Sequence, residues 1–255
     1  MVSSYIGGLR QQISNLPNGK RFKARVDFMD HVCQSLANKE LPKYHFPHFQ
    51  LSKKEVSSYL SSLIELGQPE FEKVVLDLQK FDHDLREFRT YLQVRFGYWA
   101  TITSDLMKTW SELYPNKIYL ELMAGNGYIS KGFMDNGIKS ICTDDLSWSK
   151  QSQTGLNTLV NVENLDAIAA LNKYSQSVDA VVLAWSPDRE EIDYDILQLV
   201  RQFDLELFVI GEKNGATNSR KFWESAQVLD SPEVEKLNEL YKQYDLVSDK
   251  IYLIN

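Results

Sequence analysis

The sequence predicts a doubly wound, mostly parallel α/β sheet preceded by a helical lobe. Three observations carry this. From residue 117 onward, short apolar runs alternate with stretches of helical periodicity. Those runs are apolar throughout, as in strands covered on both faces by helices. Residues 1–115, in contrast, hold helical periodicity and no strand-like run. The chain therefore divides into an N-terminal helical lobe, 1–115, and an α/β domain, 116–255.

The helical lobe is read in order as follows. Residues 22–37 place Val26, Phe28, Met29, Val32, Cys33 and Leu36 at helical spacing. Residues 41–50 (LPKYHFPHFQ) hold two prolines and predict a loop. Residues 54–66 put Val56, Tyr59, Leu60, Leu63 and Ile64 on one helical face. Gly67-Gln68-Pro69 ends that helix. Residues 69–95 form one long helix through Phe71, Val74, Val75, Leu78, Phe81, Leu85, Phe88, Tyr91 and Leu92.

In the second half, strands are expected at 117–123, 139–145, 158–163, 178–185, 205–212 and 250–255. Helices are expected at 128–136, 167–174, 190–202, 218–227 and 232–243. No internal repeat is present.

Composition narrows the function classes. Of 255 residues, 43% are hydrophobic and 25% charged, which suits a globular chain and not a disordered one. No apolar run approaches the ~20 residues of a membrane span. The start MVSSYIGGLR lacks a basic stretch followed by an apolar core, so no secretory signal is expected. Cys33 and Cys142 are far apart and in no CxxC pattern, which fits a reducing, cytoplasmic setting. Net charge is −7 and uneven: residues 1–116 carry 15 Lys/Arg against 13 Asp/Glu, and the remainder 13 against 22. An acidic chain of this kind is not expected to bind DNA non-specifically.

The segment Glu121-Leu-Met-Ala-Gly125-Asn126-Gly127-Tyr128 joins a strand to a helix. Glycines there allow a tight turn and close approach of the backbone to a ligand, and the helix start adds free N–H groups. A nicotinamide fingerprint needs Gly-x-Gly-x-x-Gly, but Ser130 holds the third position. An oxidoreductase using that cofactor is therefore disfavoured. Asp144 and Asp145 end the second strand, 17 and 18 residues after Gly127. A carboxylate so placed accepts both hydroxyls of a ribose.

This loop resembles motif I of class I S-adenosylmethionine-dependent methyltransferases, Glu/Asp-x-Gly-x-Gly-x-Gly, with Met123 standing at the first glycine. The resemblance implies a Rossmann-like fold and a cofactor site. That site is formed by Glu121, Ala124, Gly125, Asn126, Gly127, Asp144, Asp145, Asp166, Ala167 and Ala184. In the family, the position of Asp166 hydrogen-bonds the adenine amino group. Trp99 lies in the segment before the first strand, which in this fold often covers the cofactor. An aromatic hinge at Tyr98-Trp99 is the alternative.

Trp185-Ser186-Pro187 follows the fourth strand and is similar to half of the Asp/Asn/Ser-Pro-Pro-aromatic motif of amino-group methyltransferases; Asp188-Arg189 departs from the second half. Alternatively, Ser-Pro opens the next helix. Residues 97–255 also resemble a little-described group of bacterial and fungal methyltransferase-like proteins with Gly-Asn/Thr-Gly-Tyr, Trp-Pro-Pro and Gly-Glu at these places. That group implies no acceptor. Its Gly-Glu falls on Gly211-Glu212, where Glu212 serves as a base or caps the next turn.

The expected activity is methyl transfer by direct displacement to an unidentified acceptor: a small molecule, protein or nucleic acid, an amine among them. Trp185, Ser186, Pro187 and Glu212 stand on the acceptor side. The alternative is a non-catalytic cofactor-binding or scaffold protein of the same fold. After residue 227 only one strand is evident where this fold commonly has an antiparallel pair. His31, Cys33, His45 and His48 match no zinc spacing, so no metal is expected. Lys20, Arg21, Lys23 and Arg25 form a small basic cluster that reads as a solvated helix start, with contact to a phosphate as the alternative.

Overall fold

The computed structural model describes residues 4–150 and 157–255. Six strands form one sheet: β1 (Tyr119–Leu122), β2 (Ser140–Asp144), β3 (Glu163–Asn164), β4 (Ala180–Ala184), β5 (Glu206–Gly211) and β6 (Lys250–Ile254). Their order is β3-β2-β1-β4-β5-β6. The first five are parallel and β6 runs antiparallel to β5. Parallel neighbours need crossover helices, which are α7 (Tyr128–Asp135), α8 (Ala167–Tyr174) and α9 (Ile192–Gln202). The order turns around at β1 and β4, and a doubly wound sheet opens a crevice at such a point.

Because successive strand residues point to opposite faces, each run feeds two cores. Leu120, Leu122, Val181, Leu183, Leu207 and Val209 pack with α8, α9 and α10 (Arg220–Ser225). Tyr119, Ala180, Val182, Phe208 and Ile210 face α6 (Ser104–Leu113), α7 and α11 (Pro232–Leu240). Tyr119 stacks on Phe133 of α7 at 4.0 Å between ring centres.

The second core runs on without a break into the N-terminal helices: α1 (Ser4–Asn15), α2 (Lys23–Ala37), α3 (Lys53–Ser61), α4 (Gln68–Arg86) and α5 (Phe88–Phe96). Ile6, Val26, Tyr59, Phe81 and Leu92 belong to the same buried cluster as Tyr119 and Phe208.

Several elements differ from expectation. The helix read as 69–95 breaks at Glu87 into α4 and α5. No glycine or proline marks the break, and both Phe88 and Arg89 beyond it are buried. Helix α1 escaped detection because Gly7-Gly8 lowers its helical propensity, yet Ile6 and Leu9 anchor it. Helix α6 was also missed; Thr103 caps it by accepting the Leu106 N–H.

Helix α3 stops at Ser61, so Ile64, expected on the core face, is 78% exposed. The third strand is only Glu163–Asn164, not 158–163. The preceding residues are drawn against the glycine loop instead, with the Leu159 N–H donating to the Asn126 carbonyl. Of an antiparallel pair after residue 227, β6 is the one named strand, flanked by an isolated Val228–Ile254 bridge. No helix of the described residues is long and apolar enough to cross a membrane.

Gly132 lies where α7 crosses α6. A Cβ there would fall on the Met107 side chain, with Leu41 Cδ1 at 3.1 Å. Gly132→Val should therefore lower stability by about 1–3 kcal/mol through overpacking. A urea midpoint that drops with unchanged slope is the expected reading.

Candidate functional site

A cavity of about 1070 Å³ opens at the carboxyl ends of β1, β2 and β4. Its floor is the loop between β1 and α7. That loop reverses direction through three left-handed residues, Met123 (φ 51°), Gly125 (φ 57°) and Gly127 (φ 77°). Met123 thus occupies a backbone conformation that favours glycine. Gly127 does not line the cavity. A Cβ on it would meet Val160 Cγ2 at 2.7 Å and Cys142 Sγ at 3.0 Å, so its role is to let 160–162 and β2 close on the loop.

Asp144 organises this floor. Its Oδ2 accepts the Gly125 N–H at 2.8 Å, and its Oδ1 accepts the Leu146 N–H at 2.6 Å and the Trp148 indole N–H at 2.9 Å. Asp145 is exposed, and its one hydrogen bond among the described residues is from the Ser147 N–H to Oδ1. Asp166 caps α8 by accepting the Ala169 N–H through Oδ1. Both Asp145 and Asp166 line the cavity and keep a second carboxylate oxygen free of these bonds.

Glu121 is buried beneath the loop and accepts the Ser130 N–H at 2.7 Å, capping α7. Burial pushes its carboxyl up to about 7, against the opposing pull of the Ser130 hydrogen bonds.

The helical segment supplies the opposite wall. Gly97 (φ 61°) ends α5, and the Phe96 carbonyl accepts the Asn126 amide at 2.9 Å and the Tyr128 hydroxyl at 2.8 Å. This turn docks α5 on the glycine loop and delivers Trp99 to the cavity, 53% exposed. Tyr98 turns inward, its hydroxyl donating to the Ile102 carbonyl.

Trp99 sits 6.0 Å from Trp185, tilted by 49°. Trp185 has φ 53°, a strained conformation for a non-glycine residue at the end of a central strand. Its indole N–H donates to Asp249 at 2.9 Å, and the Arg89 guanidinium lies 5.0 Å over its ring. Arg89 also forks onto Asp245, at 2.5 and 3.1 Å, and donates to the Trp99 carbonyl at 3.3 Å. Burial opposes the charge on Arg89, but Tyr244, Asp245 and Asp249 outweigh it and hold its pKa above the ordinary value. Burial also raises the Asp249 carboxyl, although Arg89 pulls it down.

Ser186 and Pro187 are extended, and α9 begins only at Ile192. Pro187 pairs with Thr217 in an antiparallel bridge, and the Ser186 carbonyl accepts the Asn218 N–H at 2.7 Å. The Ser186 side chain is buried, and its hydroxyl has no hydrogen-bond partner among the described residues. Buried polar atoms left in that state are uncommon.

Glu212 lies outside the cavity lining. Its two oxygens accept the Ala216 N–H at 2.8 Å and the Ser248 N–H at 2.7 Å. Those bonds match the turn-capping alternative; Glu212 itself is not in the lining, although its partner Ala216 is.

The remaining candidates, Trp99, Glu121, Ala124, Gly125, Asn126, Asp144, Asp145, Asp166, Ala167, Ala184, Trp185, Ser186 and Pro187, all line one cavity. Trp148 and Leu165 line it too and were missed. An aromatic four residues after a strand-ending Asp was the available signal for Trp148.

Neither cysteine has the character of a nucleophile. Burial pushes the Cys33 thiol up to about 12 and raises Cys142 further. His31, His45 and His48 are exposed, and no group of three or more metal-ligating side chains exists among the described residues. In the basic cluster Lys23 pairs with Asp27, Arg25 with Glu55, and Arg21 lies over Phe22 and Tyr59.

The charge of the lining is one-sided. Glu121, Asp144, Asp145, Asp166, Asp188 and Glu190 contribute carboxyls, and no Lys, Arg or His lines it among the described residues.

No family model matches this chain, and no curated protein matches it. A solved SAM-dependent methyltransferase from Archaeoglobus fulgidus aligns over 62% of this chain and 97% of its own, at 14% identity and a TM-score of 0.37. That likeness is too loose to carry a function.

Proposed function

We propose that this protein binds S-adenosylmethionine and transfers its methyl group to an acceptor. The observation that carries the reading is the strand-end cavity with a glycine loop as floor and several carboxyls around it, with no Lys, Arg or His among the described lining residues. A dinucleotide brings a pyrophosphate, and this lining repels it. A nucleoside that carries a sulfonium and an ammonium group suits the same lining. Gly125 supports the fit, since a Cβ there meets nothing within 4 Å and the backbone is open to the cavity.

In this reading Asp145 accepts the ribose hydroxyls and Asp166 the adenine amino group, each through the oxygen that accepts no hydrogen bond from the described residues. Asp144 acts one step removed, by holding Gly125 and Trp148 in place. When bound, the cofactor supplies a methyl group on a cationic sulfur, already a good leaving group. The protein's task is then to align the acceptor and exclude water. Trp99 and Trp185 exclude water, and the strand end at Ser186-Pro187 orients the acceptor. A covalent protein intermediate is not required, which agrees with two inert cysteines.

The test is calorimetric titration with S-adenosylhomocysteine. Micromolar binding is expected, weakened about 10–100-fold in Asp145→Ala by loss of charge-assisted hydrogen bonds. Asp166→Ala should weaken binding too. Tighter binding of NADH, or no binding by the folded protein, would overturn the proposal. The non-catalytic alternative shares the binding result and differs in showing no turnover of labelled methyl donor with any acceptor pool.

A further inference from the structure

Resting on that reading, we infer that the half of the cavity beside β4 takes an alkylamine acceptor in its ammonium form, recognised by Trp99, Asp188 and Glu190; the ammonium gives up one N–H proton to solvent through the exposed Asp188 or Glu190, and the freed nitrogen lone pair then takes the methyl as its bond to sulfur breaks and a neutral thioether leaves. Four features on that side converge. Trp99 leaves half its surface open in a cavity wall, although an indole of this size is usually covered. Tryptophan offers the best aromatic face for a cation. Asp188 and Glu190 follow β4 directly and line the same wall, both exposed.

Arg189 reaches Asp188 only at 3.8 Å and is itself 93% exposed, so it does not neutralise the site. The nearby Lys221 is engaged by Glu191, which does not line the cavity. Lastly, Ser186 lines the same wall, and its buried hydroxyl has no hydrogen-bond partner among the described residues.

These carboxyls are distinct from those assigned to the nucleoside. Glu121 and Asp144 lie in β1 and β2, and Asp145 and Asp166 follow β2 and β3, whereas Asp188 and Glu190 follow β4. A phosphate-bearing acceptor, nucleic acid included, would meet carboxylates on both sides and no cation among the described lining residues.

The experiment uses the full chain, with and without saturating S-adenosylhomocysteine. Three probes are titrated by calorimetry: choline, its uncharged isostere 3,3-dimethylbutan-1-ol, and inorganic phosphate. Choline is already fully methylated, so its signal reports binding alone. The expected result is binding of choline about tenfold tighter than the alcohol, and none of phosphate. Asp188→Asn/Glu190→Gln, at exposed positions, should erase most of that preference. Trp99→Ala should weaken choline severalfold, and Trp99→Phe should retain most of it. Equal affinity for the alcohol, no choline binding, binding of phosphate, or an unchanged preference in the double variant would each overturn the inference. The homocysteine titration separates the two claims. If it binds without a choline preference, only this inference falls. A choline preference without nucleoside binding removes the cofactor reading and leaves the cation site.

Discussion

Arg89→Leu is expected to lower stability by about 3–5 kcal/mol, the range found when one partner of a buried ion pair is removed. Arg89 is buried on α5 and forks onto Asp245, with Asp249 at 3.6 Å. Its guanidinium lies over the rings of Trp185 and Tyr244. Leucine would leave Asp249 buried without a nearby positive charge, while Trp185 and Tyr241 still donate to it. The Asp249 carboxyl, already raised by burial, would rise further. A carboxyl raised in the folded state stabilises below its unfolded pKa, and that contribution is lost as pH rises through the folded value. The deficit of Arg89→Leu should therefore shrink toward acid pH. Urea unfolding at pH 7 and pH 5 reads both effects, and Arg89→Leu/Asp249→Leu should recover part of the loss, because an apolar pair can replace a buried ionic one. A deficit under about 1 kcal/mol at pH 7 would contradict the assignment. The variant should also shift tryptophan emission. Arg89 holds the Trp99 carbonyl, and Asp249 holds the Trp185 indole. Both cavity aromatics thus hang from one ion pair between the N-terminal helices and the segment entering β6.

The parts of the site that sequence could disclose are those whose chemistry is local. Glu121, Gly125 and Asp144 sit at strand ends or in a turn whose backbone conformation selects the residue, so spacing alone brings them together. Met123 shows the same rule from the other side: the chain there is left-handed, a conformation that favours glycine, and this protein bears the strain. What stayed hidden depends on contacts distant in sequence. Asp249 meets Trp185 across 64 residues, and no motif at either position announces it. The break at Glu87 carries no glycine or proline and is set by packing of Phe88 and Arg89. Asp144 and Asp145 were indistinguishable as a ribose partner in sequence. Their hydrogen bonds differ: Asp144 holds the loop through both oxygens, whereas among the described residues Asp145 accepts the Ser147 N–H alone. Glu212 was open between base and turn cap for the same reason, since a strand-end carboxylate looks alike in sequence in either setting.

Glu121→Gln should abolish most of the protein's pH dependence between pH 5 and pH 8. Glu121 is buried, and its carboxyl is pushed up to about 7 from an ordinary value of 4.5. Between about 4.5 and 7 the folded protein holds a proton that the unfolded chain has released. Stability therefore falls as pH rises, being fully present below about 4.5 and lost through about 7. The gap corresponds to about 3 kcal/mol at 1.36 kcal/mol per pH unit. Glutamine keeps an oxygen for the Ser130 N–H and carries no charge to desolvate. The variant should match the wild type near pH 5 and exceed it by up to about 3 kcal/mol at pH 8. Thermal unfolding by calorimetry across that range checks this, and parallel pH profiles for the two proteins would refute it. The same proton gives a ligand signal. A cation entering the cavity favours the ionised Glu121, so S-adenosylmethionine binding near pH 6.5 should release a proton. S-adenosylhomocysteine, which lacks the sulfonium, should release less. Titrations in buffers of different ionisation enthalpy count the protons. Glu121→Gln should lose the difference between the two ligands if the sulfonium charge is what Glu121 senses, and keep it if another carboxyl in the lining does.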